Sequence, residues 1–347
     1  MTREKCSFKV KKVKMKTIVR LVKKMLKIIK LIPLRSKPIP ELQHLPFSFI
    51  RAISEVKKNV DVNMKIKKGY FKDRLVVVPA LPKAASSVIS TCIAEIQSRS
   101  GIDKKRGYAR YMLHNQDSDL RPELVLDFSE GGVLKFHTKA SDKNLKVLEI
   151  LGVKYVILFR NPIDQIAAAY CDIINFSHLE EAAKKNNWLV NHMFPMDPKK
   201  FVPPAKQNDS INYMLSGGYL YTVLMWMVDW MRFRDQKKSI IVKYEDFVRE
   251  RNETLAEISL FLNGTNIEGD CLKECKIIAD RYASRRKNSD HARFYPKGWT
   301  GKIGAWKDYF SEDNRQNYLS VIKGFCEYYP QASLLVDIYP ELLYVNV

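Results

Sequence analysis

A chain of 347 residues with 46% apolar side chains can bury one large core or two medium ones, which excludes global disorder. Its net charge of +21 invites a nucleic-acid reading, yet residues 1–37 hold fourteen Lys or Arg against one Glu and carry +13 of it. The remaining +8 is a mildly basic body suited to a phosphate-rich ligand, so no specific nucleic-acid partner is expected.

Between Lys16 and Lys30, Ile18, Val19, Leu21, Val22, Met25, Leu26, Ile28 and Ile29 fall on one half of a helical wheel, with lysines and Arg20 on the other. Such a helix can lie on an anionic membrane surface, pack on the protein's own body, or serve as a targeting or partner peptide. Lys23, Lys24, Lys27 and Lys30 break the uncharged stretch that a secretory signal needs, and no apolar run is long enough to span a bilayer. The expectation is a cytoplasmic protein, peripheral at the membrane surface if residues 16–30 bind there. Pro33 ends the helix. The chain then divides into a basic amphipathic segment (1–37), a proline-containing connecting region (38–73) and a single α/β domain (74–347).

Within that domain Leu75–Val78 is a short, wholly apolar run, as expected of a strand buried on both faces. A turn at Pro79–Pro82 leads to a helix over Ser87–Ser98. Gly132–Phe136 and Lys154–Phe159 read as strands, the latter followed by a helix over Ile163–Ile174. Phe194–Ser210, with four prolines, reads as a long loop. A largely buried helix should start after Gly218, its aromatic stripe more core than acceptor pocket. Ser239–Lys243 is a further strand, with helix-compatible sequence after Tyr244. Strands alternating with helices predict a P-loop-like three-layer sandwich, a central, mainly parallel sheet flanked by helices. Cys6, Cys92, Cys171, Cys271, Cys275 and Cys326 contain no second close pair to complete a zinc site and read as reduced, structural thiols.

The stretch VVVPALPKAASS goes from strand to turn to helix with one lysine, small residues and two hydroxyls. Unpaired amides at a helix start can donate to an anion, and Ala84, Ala85, Ser86 and Ser87 are small enough to let one approach. Taken alone, it is either a phosphate site or an ordinary β-turn-α connection. It lacks the GxxxxGK[ST] pattern of a Walker loop. Arg160, in FRNP after the strand 154–159, should lie with Lys83 at the C-terminal edge of the sheet, where ligands usually bind. Lys135 and His137 end the strand 132–136 on one side of the extended chain. An imidazole titrating near neutrality suits a base. His114 is its nearest competitor; His178, His192 and His291 read as surface or acceptor-side residues.

These stretches together resemble the sulfotransferase family that uses 3′-phosphoadenylyl sulfate. LPKAASS is similar to its 5′-phosphosulfate loop, PKSGTTW, and FRNPIDQIAAAY to its 3′-phosphate element, RNPxDxxxSxY. VKYEDF resembles YEDL, and GKIGAWKDYF resembles GxxGDWxxxF. All four occur in family order between Arg74 and Phe310. The resemblance implies that Lys83, Ala84, Ala85, Ser86 and Ser87 hold the 5′ side of this co-substrate. It implies further that Arg160 binds the 3′-phosphate and that Tyr244 lies near the base. It makes His137 the catalytic base, with Lys135 assisting and Lys83 stabilising the leaving phosphate. Three departures stand out. Ala168 replaces the serine expected eight residues after Arg160, and Ala84-Ala85 replace Ser-Gly. Trp299-Thr300 replace Arg-Lys before Gly301, leaving Lys297, Arg293 or Lys302 to supply the charge.

The reaction so implied is in-line sulfuryl transfer to a hydroxyl or amine on a small-molecule or saccharide acceptor, whose wall includes part of 188–235. No metal is expected, because six histidines without an HExxH cluster offer no site. Two other readings compete with this one. A nucleotide-dependent phosphotransferase needs a magnesium-binding hydroxyl after the loop lysine, where Ala84 stands. An inactive relative binding a membrane surface or nucleic acid would have no need to keep Lys83, Lys135, His137 and Arg160 together.

Overall fold

A computed structural model of the chain describes residue 69 and residues 71–99, 110–111, 131–177, 207–288 and 302–343. All belong to one compact unit, Ile66–Val347. The amphipathic segment 16–30, the connecting region to residue 68, and His114, His178, His192 and His291 lie outside the described residues.

Five strands form one sheet in the order β2-β3-β1-β4-β5, and every ladder is parallel. They are β1 (Leu75–Pro79), β2 (Arg110–Tyr111), β3 (Gly132–Phe136), β4 (Lys154–Phe159) and β5 (Ser239–Lys243). The four strands expected from apolar runs are there. The two-residue β2 has no such run and was not foreseen; it pairs Arg110 with Leu134 at the sheet edge. Every residue of β1 and β3 is buried. Because alternate side chains point to opposite faces, both faces of the sheet are covered. β3 begins hard against β1: a Cβ on Gly131 (φ 100°) would sit 2.6 Å from the Arg74 carbonyl oxygen. Only glycine fits that start.

The covering helices are α1 (Ser86–Arg99), α2 (Asp142–Leu151), α3 (Pro162–Ser177), α4 (Gln207–Ser216) and α5 (Tyr219–Phe233). They continue with α6 (Tyr244–Arg249), α7 (Arg251–Asn263), α8 (Gly269–Asn288), α9 (Glu312–Tyr328) and α10 (Ser333–Ile338). Local sequence explains their limits. Ser141 caps α2 by accepting from the Asn144 amide, and Gly152 (φ 66°) ends it. A reciprocal Ser311–Asn314 capping box starts α9. The chain is thus an α/β sandwich, a central parallel sheet flanked by helices.

One expectation is corrected. The loop assigned to Phe194–Ser210 stops earlier, because Gln207–Ser210 is the first turn of α4. The prolines that marked the loop end at Pro204, and Ile211, Met214 and Leu215 then recur at helical spacing, all buried. Residues 194–206 lie outside the described residues. Cys92, Cys171, Cys271 and Cys275 are buried free thiols and Cys326 is partly exposed. Cys271 and Cys275 share a face of α8, from which the Cys275 thiol donates to the Cys92 carbonyl of α1 at 3.8 Å. Burial pushes the Cys271 thiol up to about 12. Among the described residues no helix is long and apolar enough to cross a membrane.

Candidate active site

At the C-terminal end of β1 the chain stays bonded on both sides. The Ala80 amide donates to Phe136 and the Leu81 amide to Leu158, both at 3.1 Å. The backbone then alternates hand: Lys83 (φ 68°) and Ala85 (φ 53°) are left-handed, with Ala84 between them. Such alternation turns successive amides toward one concavity, a common form of anion cradle. The cradle runs into the first turn of α1, whose amides have no acceptor within the helix. Among the described residues, no hydrogen bond takes up the amides of Ala85, Ser86 or Ser87.

The left-handed backbone at Ala85, where the resembled loop carries glycine, costs an L-residue about 1–2 kcal/mol. Ala85→Gly should therefore raise stability by about 0.5–1 kcal/mol, after allowing for the added freedom of the unfolded chain. Denaturant unfolding would read this as a higher midpoint at unchanged slope; a lower midpoint would count against strain at this position.

β3 delivers the next two groups. Lys135 is nearly buried, and its Nζ donates to Ser87 Oγ at 3.4 Å. Burial, with the nearby Lys83 charge, pushes its ammonium down to about 8. His137 follows directly. Its Nδ1 lies 2.6 Å from the Ala80 carbonyl oxygen, which can only accept, so Nδ1 carries the proton and Nε2 is the bare nitrogen. Burial, the Lys135 charge and then the Lys83 charge push this imidazole down to about 3 against the opposing pull of the Ala80 bond. It is neutral across the physiological range.

The backbone just beyond His137 is unusually well held. Trp226 and Trp230 of α5 both donate their indole N–H groups to the Thr138 carbonyl, at 2.7 and 3.0 Å. The same rings pack on β4, Trp226 edge-on to Phe159 and Trp230 tilted on Tyr155, both with centroids 5.8 Å apart. Asn144 donates to Thr138 Oγ1 at 2.7 Å. Of the aromatics on α5, Tyr219, Trp226 and Trp230 are core while Tyr221 and Phe233 are exposed, and the two tryptophans also anchor the segment that bears His137.

β4 delivers Arg160, which is 2% exposed. Its Nη1 donates to the Lys83 carbonyl at 2.9 Å, and its guanidinium lies 4.3 Å over the Tyr244 ring. Its Nε and Nη2 are buried without an acceptor among the described residues. Buried guanidinium donors without partners are costly, and an anion would satisfy them. Tyr244, expected beside a base, offers the cation a ring face. Asp164, one turn into α3, accepts from the Gly304 amide at 2.8 Å and the Trp306 amide at 3.2 Å. That carboxylate pins the late GKIGAW segment beside the Arg160 turn.

Lys83, Ser87, Lys135, His137, Arg160 and Tyr244 thus form one contact network along the C-terminal edge of β1, β3, β4 and β5. Ala84 and Ser86 are buried in its loop, Lys302 is exposed, and Lys297, Arg293 and Gly301 lie outside the described residues. Ala168 is buried in α3 at 1% exposure. Sequence reasoning missed the structural parts of this edge: the Ala80 carbonyl, the two indoles on Thr138, Asp164 and Glu245. Asp164 and Glu245 stand inside the quoted motifs, whereas a backbone carbonyl leaves no signal in side-chain identity. Among the described residues no group of three or more His, Cys, Asp or Glu is placed to hold a metal ion.

A strand-loop-helix turn with amides unpaired among the described residues, beside a second cationic strand end, is an arrangement suited to an anion at the C-terminal edge of a parallel α/β sheet. The sulfotransferase domain model matches residues 44–331, more than half of the chain, and the chain belongs to that family. Among solved structures, retinol dehydratase in complex with androsterone and inactive cofactor PAP is 16% identical (TM-score 0.49), over 75% of this chain and 82% of that one. Mouse sulfotransferase SULT7A1 complexed with PAP is 11% identical (TM-score 0.47), over 79% and 93%. No curated protein matches.

Proposed function

We propose that this chain transfers a sulfuryl group from 3′-phosphoadenylyl sulfate to a hydroxyl or amine of a small-molecule or saccharide acceptor. The observation that carries the reading is the joining of three strand ends into one cationic edge. Arg160 is bonded to the Lys83 carbonyl, Lys135 to Ser87, and His137 to Ala80. The residues fit the donor's charges: the unpartnered Nε and Nη2 of Arg160 suit a 3′-phosphate, and the cradle at Lys83–Ser87 suits the 5′ end.

The donor supplies the sulfuryl group and leaves as adenosine 3′,5′-bisphosphate. The chain's part is positioning, charge and one proton. Lys83 and the α1 amides oppose negative charge gathering on the leaving phosphate, and Lys135 adds charge near the transferred group. His137 Nε2 takes the acceptor proton while Ala80 holds Nδ1. Its low pKa reflects burial first and the Lys135 and Lys83 charges after it, and an anionic donor offsets the cations' share. Tyr244 remains the proposed neighbour of the base. The buried Ala168 provides no hydroxyl, a loss of about 1.5–3 kcal/mol unless another group replaces it.

The full chain should gain a larger thermal shift from adenosine 3′,5′-bisphosphate than from adenosine 5′-monophosphate, and should pass labelled sulfate from the donor to a component of cell extract. Equal shifts, or no transfer, would overturn the proposal. Lys135 is charged below its pKa of about 8 and neutral above it. Bisphosphate affinity should therefore fall as pH rises through about 8, and Lys135→Arg should abolish that fall.

A further inference from the structure

The turn that carries Arg160 is held by residues remote in sequence. Glu245, 5% exposed, accepts the Asn161 amide on Oε1 at 3.0 Å and the Tyr339 hydroxyl on Oε2 at 3.2 Å. Asn161 in turn donates its side-chain amide to Glu341 at 2.9 Å and accepts from the Ile163 amide at 3.1 Å. Tyr339 is 1% exposed and sits between α10 and the 3-10 turn Pro340–Leu343. Glu245 directly follows Tyr244, whose ring underlies the guanidinium. Two adjacent residues at the end of β5 therefore hold both the guanidinium and the backbone it springs from. A buried carboxylate is costly unless its oxygens are bonded, and here both are. Burial pushes Glu245 up, while the Asn161 amide, the Arg160 charge and the Tyr339 hydroxyl pull it back.

We infer that Glu245, backed by Tyr339 and Glu341, is a positioning residue for Arg160, so that the segment Tyr339–Glu341 sets how well the protein distinguishes 3′-phosphorylated nucleotides from those lacking that phosphate. The inference rests on the donor reading above. An arginine discriminates by the direction of its N–H groups, and a turn free to rock would spread those directions and weaken the fork. None of the three residues needs to touch the nucleotide for this to operate.

The test is the ratio of dissociation constants for adenosine 5′-monophosphate and adenosine 3′,5′-bisphosphate, measured by calorimetry on the full chain. Glu245→Ala should cut this ratio about 10-fold and Tyr339→Phe about 3-fold. Glu245→Gln should restore it to within about 2-fold, because its carbonyl still accepts from Asn161 and its amide can donate to the Tyr339 oxygen. In turnover, donor KM should rise with kcat within about 2-fold, since no reacting atom loses a partner. Unchanged monophosphate affinity identifies a folded variant; should Glu245→Ala not fold, Tyr339→Phe, which removes one hydroxyl, carries the test. Wild-type ratios in both variants, or a kcat loss at constant KM, would overturn this inference and leave the donor reading standing. A wild-type chain with no preference for the bisphosphate would overturn both.

Discussion

His137→Ala should leave adenosine 3′,5′-bisphosphate binding within about 2-fold of wild type and cut transfer to a hydroxyl acceptor by about 10²–10⁴-fold, the usual worth of a positioned general base. The two halves of this result have separate causes. The cations proposed to hold the nucleotide are Lys83, Lys135 and Arg160, and removing a neutral imidazole takes no charge from them. Loss of the ring relieves the desolvation of Lys135 if anything, which favours anion binding. Turnover, by contrast, loses the nitrogen that takes the acceptor proton. The Ala80 bond makes that nitrogen Nε2, so His137→Gln should not rescue: an amide can hold the Ala80 carbonyl but cannot accept a proton at neutral pH. Near-normal turnover by His137→Ala at saturating donor would remove His137 as the base.

Arg160→Ala should weaken binding of adenosine 3′,5′-bisphosphate by roughly 10²- to 10⁴-fold, from the loss of two charge-assisted hydrogen bonds worth about 1.5–3 kcal/mol each. Adenosine 5′-phosphosulfate, which has no 3′-phosphate, should lose far less. The comparison is needed because Arg160 also braces the Lys83 carbonyl, and loosening that loop would affect both ligands alike. The difference between the two losses isolates the 3′-phosphate. Arg160→Lys should recover part of it, since a point charge attracts phosphate without the planar fork. Equal losses for the two nucleotides would contradict the role given to Arg160.

Much of the fold could be read along the chain. β3, β4 and β5 have the expected bounds, and β1 extends the expected Leu75–Val78 by one residue to Pro79. Strands covered on both faces are apolar along most of their length, and in β3, β4 and β5 the charged or polar residues, Lys135, Lys154, Ser239 and Lys243, stand at or next to a strand end. β2 escaped notice because two edge residues need no apolar pattern, and α4 because prolines upstream masked a helix start. The candidate site divides in the same way. Lys83, Lys135, His137 and Arg160 are chemical side chains at strand ends, and a parallel sheet gathers its strand ends on one edge.

Residue types and their periodicity were enough to name the parallel sheet and the charged groups at its rim, because burial and charge act locally through side-chain chemistry. Which nitrogen of His137 is bare, which donors of Arg160 stand unpaired, and that Glu245 and Tyr339 grip the Asn161 turn were beyond their reach. Those facts depend on backbone carbonyls, on handedness at Lys83 and Ala85, and on contacts between residues far apart in sequence, 94 positions for Glu245 with Tyr339 and 180 for Asn161 with Glu341. They exist only once the chain has folded, since a hydrogen bond is a matter of angstroms and angles between groups that no local pattern encodes.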